Sequence, residues 1–519
     1  MKFLDVLTVG VLAGSVFGQD GEQQPLVHER IPGESLYNSR PDIHPSKLKV
    51  KIYEPEKVYA GYLYSSPWAA PWTNDFVTQV VDKIGPHVFR EDGELVWTGY
   101  GVFPNDVGNL MPQVYNGEQV FTFYNGLFVG GGIGLGTYRV VNSDFDVVKR
   151  VGLKTPFLHD IHEFVFTGED TAVFTNYRPV PYSFEGLEEY TSLESGWIYR
   201  GDIVEVNVTT DEVLFQWNSL DHIPINESVV LTDLAIKGNT SINPFDYLHI
   251  NSISKDDDGN FLVSARHTWT IYYIDGETGD IIWRLGQNST DWTIHENATF
   301  AYQHHARWVD PETTDLPKEP HVRYLSLFDN EGYGDALHQI PGYRNYSRGL
   351  IVKLDYESRS VSLVQEYLLP QPEHTSDSQG SVQVLPNGNV LIGWGANPVI
   401  TEHLFTGEPV FHAVINDKEY SSYRAFKGPF EGNPKEPPAI VSVYDTNKNV
   451  TTIYVSWNGS TKIKAWNIYT PTHLLTTVPH KDFETIYEIQ GHYKSLKAEA
   501  LDQNGVPLAD THFESTYQI

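Results

Sequence analysis

From Leu48 onward the apolar positions fall in short runs of Val, Ile, Tyr, Phe and Trp, cut by polar turn residues. Runs of this length and composition predict β-strands, and the Asp-Gly and Asn-Gly pairs between them predict hairpin turns. Only Thr78 to Ile84 carries a pattern compatible with a short helix. Two phrases recur: Asp258-Gly259-Asn260 before Phe261 to Ser264, and Asn387-Gly388-Asn389 before Val390 to Gly393. Each reads as a turn feeding an apolar strand. A second element, a turn leading into a strand that ends in an aromatic, occurs at Asp92 to Trp97, Asp211 to Trp217 and Asp275 to Trp283.

These repeats predict blades. Gly259 and Gly388 are 129 positions apart with another strand, Arg323 to Phe328, between them. A blade every ~65 residues follows, which gives about six blades before Ala439. The predicted fold is all-β: a six-bladed β-propeller over 48–430, followed by a small β-sandwich-like domain over 440–519. Phe426 to Pro438, rich in Gly and Pro, reads as the linker between them. The stretch 19–47 reads as an N-terminal extension.

Composition narrows the function classes. Lys and Arg number 36 against 67 Asp and Glu, a formal charge of −31, so phosphate backbones are repelled and nucleic acid is not an expected partner. Residues 1–18 have a charged start, an apolar run from Val6 to Phe17 and a closing Gly18, the pattern of a secretory signal peptide. That run is too short for a membrane span, so a secreted protein without a membrane partner is expected. Eight Asn-X-Ser/Thr acceptors agree with secretion: Asn207, Asn226, Asn239, Asn288, Asn297, Asn345, Asn449 and Asn458. The chain has no Cys, which excludes disulfides and thiolate metal sites.

Inner strands of a propeller bring polar side chains from distant positions to one centre. Three segments offer such residues. In Asp246 to Ile253, strand alternation would put His249 and Asn251 on one face. Ser264-Ala265-Arg266-His267 ends the next strand, so Arg266 can approach that pair and make an anion site. In Gln303-His304-His305-Ala306-Arg307 only one imidazole of an extended pair can face inward, and the same holds for His159 and His162 in Leu158 to Phe164. Converging histidines also suit a metal, but a fixed guanidinium beside them opposes a cation, so no metal is expected. The glycines from Gly130 to Gly136 lack the strand-loop-helix setting of a dinucleotide site and read as a turn. A Gly-X-Ser-X-Gly nucleophile elbow is missing.

His162-Glu163-Phe164, Asp246 to Ile253, Ser264 to His267 with Trp283-Arg284-Leu285-Gly286, Gln303 to Arg307 and Gly380-Ser381-Val382-Gln383 together resemble the arylsulfotransferase family in its fungal form, from about Ser39 to the end. The resemblance implies a six-bladed propeller that moves a sulfuryl group from a phenolic sulfate ester to a phenol through a sulfated histidine, with no cofactor. It implies His304 as nucleophile, His249 and Asn251 as sulfate-binding residues, Arg266 as the family's arginine and His162 as a further catalytic histidine. His267, His305 and His159, neighbours in the same phrases, stand as further substrate-binding candidates. Phe123-Tyr124-Asn125-Gly126 departs from the Trp-Gly pair of fungal relatives, at the expected acceptor wall. The expected partner is a small aromatic molecule. A propeller with other chemistry, such as hydrolysis or tailoring of a secondary metabolite, and a non-catalytic binding propeller are the competing readings.

Overall fold

The computed structural model describes residues 35–69, 85–103, 106–129, 131–152, 159–331, 344–370, 375–415 and 420–519. The apolar run of the expected signal peptide and the expected helix at Thr78 to Ile84 lie outside them. No helix among the described residues is long and apolar enough to cross a membrane.

Between residues 48 and 428 the strands form six sheets, antiparallel but for one short parallel edge pairing of Thr293–Ile294 with Ser360–Tyr367. Sheet I contains Tyr420–Gly428, Tyr62–Ala69, His87–Phe89 and Leu95–Thr98, in that order. Sheet II contains Asp106–Tyr115, Glu118–Phe128, Gly134–Val141 and Val147–Val151, and sheet III contains Phe164–Phe166, Thr171–Ser183, Ser195–Asn207 and Val213–Asn218. Sheet IV contains Ile250–Lys255, Phe261–Ala265, Thr270–Ile274 and Ile281–Gly286. Sheet V runs from His304–Val309 through Val322–Asp329 and Arg348–Asp355 to Ser360–Tyr367, with Thr293–Ile294 on its outer edge. Sheet VI runs from Ser381–Val384 through Val390–Gly393 and Val399–His403 to Pro409–Ile415, and Leu48–Ile52 is added outside. Each sheet packs on the next, and VI packs back on I.

The residues explain this layering. Strands such as Phe261–Ala265 and Thr270–Ile274 are buried along their whole length, because a neighbouring sheet covers each face, and they read as unbroken apolar runs. Val147–Val151, at the outer edge of II, alternates between half-buried and exposed positions before ending on the buried Val151. The recurring turns behave as expected, since Asp258-Gly259 joins the first two strands of IV and Asn387-Gly388 those of VI.

Two boundaries differ from the sequence reading. Leu48–Ile52, where the expected propeller begins, completes the last sheet, and Phe426 to Gly428 are not linker but the end of the first strand of sheet I. The Lys427 Nζ donates to Glu402 of sheet VI at 2.9 Å with both side chains fully buried. Lys427 also exchanges backbone hydrogen bonds with the Gln383 amide, at 2.8 and 2.9 Å. The strand reads as a loop locally, because its ladder partner, Tyr62–Ala69, lies hundreds of residues earlier.

At the centre the sheets share one ion network. Glu163, just before the first strand of III, accepts from Arg424 of I at 2.9 and 3.2 Å, from Arg307 of V at 2.5 Å and from the Ile253 N–H of IV at 3.2 Å. Arg424 also donates to the Asn251 carbonyl at 2.8 Å. Its charge and that of Arg307 hold the Glu163 carboxyl below the usual range against the burial that pushes it up. His305 carries the link onward, its Nδ1 lying 3.1 Å from the carbonyl oxygen and 3.3 Å from the backbone nitrogen of Val382 in VI.

Residues after 438 form two further sheets. Ala439–Asp445, Val450–Ser456, Glu484–Gln490 and Tyr517–Gln518 make one; Ala465–Tyr469, Leu474–Pro479, Ser495–Leu501 and Pro507–Asp510 make the other. Ile440, Ile453, Val455, Trp466, Ile468 and Leu496 are buried between them. This unit is tied to sheet I by Asn458, whose side-chain amide donates to the Thr98 carbonyl and accepts from the Thr98 N–H, both at 2.9 Å.

Two outcomes follow. Glu163→Gln leaves two buried guanidinium groups without their counter-charge and should lower unfolding free energy by about 3–5 kcal/mol, read by urea denaturation. Glycopeptide mapping of the secreted protein should find Asn458 bare, because both ends of its amide are spent on Thr98. A glycan on Asn458 of folded protein would contradict the clamp.

Candidate functional site

The site is built on histidines whose ring nitrogens are already committed by their neighbours. His162 lies in the irregular segment before Phe164–Phe166, and its Nδ1 and backbone N–H both bind the Asp160 carboxylate. That carboxylate is fully buried and also accepts from the Gly134 N–H at 2.7 Å and the Thr175 hydroxyl at 3.1 Å. Burial pushes its pKa up, but His162 and these hydrogen bonds outweigh it and hold Asp160 below the usual range. A second dyad stands beside the first: the His249 Nδ1 is 2.5 Å from Asp246 Oδ2. The two imidazoles meet edge to face with centroids 4.6 Å apart.

With both Nδ1 atoms on carboxylates, the Nε2 atoms are left to face the site. They face Gly132. A Cβ placed there would lie 3.9 Å from His249 Nε2 and 4.0 Å from His162 Nε2, and φ is +82°, so a glycine keeps that space open. His267 extends the row, with its ring 4.7 Å from His249 and its Nδ1 donating to the Asp246 carbonyl at 2.7 Å. Burial keeps His249 far below its ordinary pKa, helped by the charges of His162 and Arg266. Burial likewise takes His267 down to about 3.

His304 opens the first strand of sheet V, and only 1% of its surface is exposed. Its Nδ1 is 2.7 Å from Asn330 Oδ1, and the Gln379 N–H donates to its Nε2 at 3.2 Å. Burial, then the charge of Arg266, drives its pKa far down, so the ring is neutral. Arg266 directly follows Phe261–Ala265; its N–H binds the His249 carbonyl at 2.9 Å, and its guanidinium lies 4.5 Å from the Tyr302 ring centre. Its Nη2 donates to the Asp377 carbonyl at 2.9 Å. Tyr423 bridges the two groups of histidines, edge-on to His162 at 5.5 Å and to His304 at 6.4 Å. The result is a buried set of imidazoles with one guanidinium, able to offer a nucleophilic nitrogen, proton carriers and a fixed positive charge to an anion.

His162, His249, His267, His304 and Arg266 are therefore brought together, while three other candidates are not. His305 is in the left-handed region with φ +55° and points the other way, between sheets V and VI. His159 stacks on Phe174 at 3.6 Å, and its ring nitrogens have no hydrogen-bond partner among the described residues. Asn251 sits beneath the site, where its Nδ2 donates to the Gln303 carbonyl at 2.6 Å. The strand argument that paired it with His249 fails, because His249 has φ +56° and strand Ile250–Lys255 starts after it. Phe123 and Tyr124 are core residues of sheet II, packed on Phe103 and Tyr138, and form no wall here.

Asp160, Asp246, Asn330, Tyr423 and Gly132 escaped the sequence reading. Asp160 and Asp246 stand two and three residues before their histidines, a spacing that could have flagged them; the others come from remote loops or another sheet. Asp246, His249 and His267 have ligand atoms within 4.8 Å of one another, close enough for a divalent ion. Both Nδ1 atoms instead bind Asp246, and the Arg266 charge that depresses both rings opposes a dication. An open depression of about 540 Å³ near Thr446, His492 and Ile519 is lined by none of the site residues.

No curated protein matches the chain. Among solved structures, a protein of unknown function from Bacteroides caccae is 12% identical, with 71% of this chain and 99% of that one covered at a TM-score of 0.38. The GH43 protein BlXynB from Bacillus licheniformis is 9% identical over 78% and 90% at 0.30, and apo AztD from Citrobacter koseri 11% identical over 72% and 99% at 0.29. Likenesses this distant carry no functional argument. The arylsulfotransferase (ASST) family model, however, matches residues 111–416, more than half of the chain and a span that contains His162, His249, Arg266 and His304. The chain belongs to the arylsulfotransferase family.

Proposed function

We propose that the six sheets close into a six-bladed propeller and that its central histidines transfer a sulfuryl group from a phenolic sulfate ester to a phenol. The observation that carries this reading is His304: a buried imidazole, held toward its neutral form by burial and the Arg266 charge, and joined through Tyr423 to the carboxylate-backed His162. In the first half-reaction the His304 nitrogen attacks sulfur as the S–O bond to the aryl oxygen breaks. The aryl oxygen leaves with the bonding pair and takes a proton from His162, whose positive form Asp160 balances. In the second half a phenol returns its proton to His162, its oxygen attacks sulfur, and His304 recovers the pair. Arg266 offsets the charge on the sulfuryl oxygens throughout. The cycle balances without a nucleotide or metal.

The same reading makes the protein a secreted glycoprotein with a separate C-terminal sandwich. Asn226, Asn239, Asn297, Asn345 and Asn449 are exposed and open to a glycan, while Asn288 donates its Nδ2 to the Glu227 carbonyl and Asn207 is half-buried and bonded to Asp170.

Incubation with an aryl sulfate should add ~80 mass units to His304 in intact-protein mass spectrometry, and a phenol should discharge them. His304→Ala should take up none; labelled His304→Ala, or unlabelled native protein, would sink the proposal. Because the His304 pKa is depressed, the nucleophile stays neutral as pH falls, and the acid limb of single-turnover labelling should lie below pH 6.5. Arg266→Ala should lower kcat/KM for the ester by about 10²–10³-fold in steady-state assays.

A further inference from the structure

We propose that Asn330 is a positioning residue that directs sulfation to Nε2 of His304 and keeps the sulfated ring positively charged, so that it gives the group up readily; this rests on the transfer reading above.

Asn330 is fully buried and directly follows Val322–Asp329. Its Nδ2 donates to two backbone carbonyls, of Ser376 at 2.8 Å and Gln379 at 3.1 Å. Carbonyls only accept, so the amide can be turned only one way, with Oδ1 toward His304. Oδ1 also only accepts, so the His304 nitrogen 2.7 Å from it, Nδ1, must carry the hydrogen. The lone pair then lies on Nε2. An independent contact agrees: the Gln379 N–H points at Nε2, which only an unprotonated nitrogen can receive.

The neighbouring histidines make the contrast. His162 and His249 each place Nδ1 on a carboxylate, which can hold or share a proton. His304 places it on a neutral amide, which cannot take one. When Nε2 of neutral His304 bonds to sulfur, the ring has a substituent on each nitrogen and becomes an N-sulfoimidazolium. With Asn330 opposite, the Nδ1 proton stays on the ring, and the imidazole that departs in the second half is neutral, a good leaving group. A carboxylate there would pull that proton away, neutralise the ring and make the intermediate sluggish. It would also favour the imidazolium form of the free enzyme.

Two measurements test this. Long-range ¹⁵N–¹H NMR of the native protein, with His304→Ala to assign the resonances, should show Nδ1 protonated and Nε2 bare; a proton on Nε2 overturns the inference. Asn330→Asp should still become sulfated, but its discharge to a phenol should slow by about tenfold or more, and the acid limb of labelling should move up by about one pH unit or more. Asn330→Ala, which lacks the acid, should not show that upward move. Unchanged discharge and pH limb in folded Asn330→Asp would also overturn it. Native protein that never becomes sulfated sinks the transfer reading instead and leaves the tautomer result standing.

Discussion

The fold depends on one buried carboxylate. Glu163 faces two guanidinium groups and a backbone N–H that arrive from three other sheets, and both Glu163 and Arg424 are fully buried. Charges in such a place must be matched in number and geometry, since an unpaired one costs several kcal/mol. The network therefore acts less as glue than as a register: sheets I, III, IV and V can meet only where these groups coincide. The site stands directly on it. His162 is the residue before Glu163, Asn251 accepts from Arg424, and His304 and His305 lead to Arg307 along one strand.

On this floor the histidines differ through their partners and not through their type. His162, His249 and His304 are buried and His267 largely so, and this pushes His249, His267 and His304 toward the neutral form. What separates them is the group at Nδ1: a carboxylate for His162 and His249, a backbone carbonyl for His267, an amide for His304. Residues that touch no ligand thereby decide which nitrogen is free and what charge each ring can bear.

The surface charge disfavours an anionic ligand, because at −31 the chain as a whole repels an anion. Screening at physiological salt limits that field to roughly 8 Å, whereas Arg266, only 9% exposed, acts at short range and with little screening. Its stacking on Tyr302 and its bond to the Asp377 carbonyl aim the guanidinium.

The amino-acid sequence by itself determined the all-β character, the recurring turns and the phrases that hold His162, His249, Arg266 and His304, because strand periodicity, turn chemistry and short motifs are local properties. It also implied that His304 and His305 face opposite ways, although the turn of His305 into the left-handed region exceeds simple alternation. Only the tertiary structure decided that Tyr420–Gly428 is a strand of sheet I, that His159 and His305 are packing residues, and that Asn330, Tyr423 and Gly132 complete the site. Each of these depends on a partner far along the chain, and a side chain's environment, unlike its periodicity, exists only once that partner has arrived.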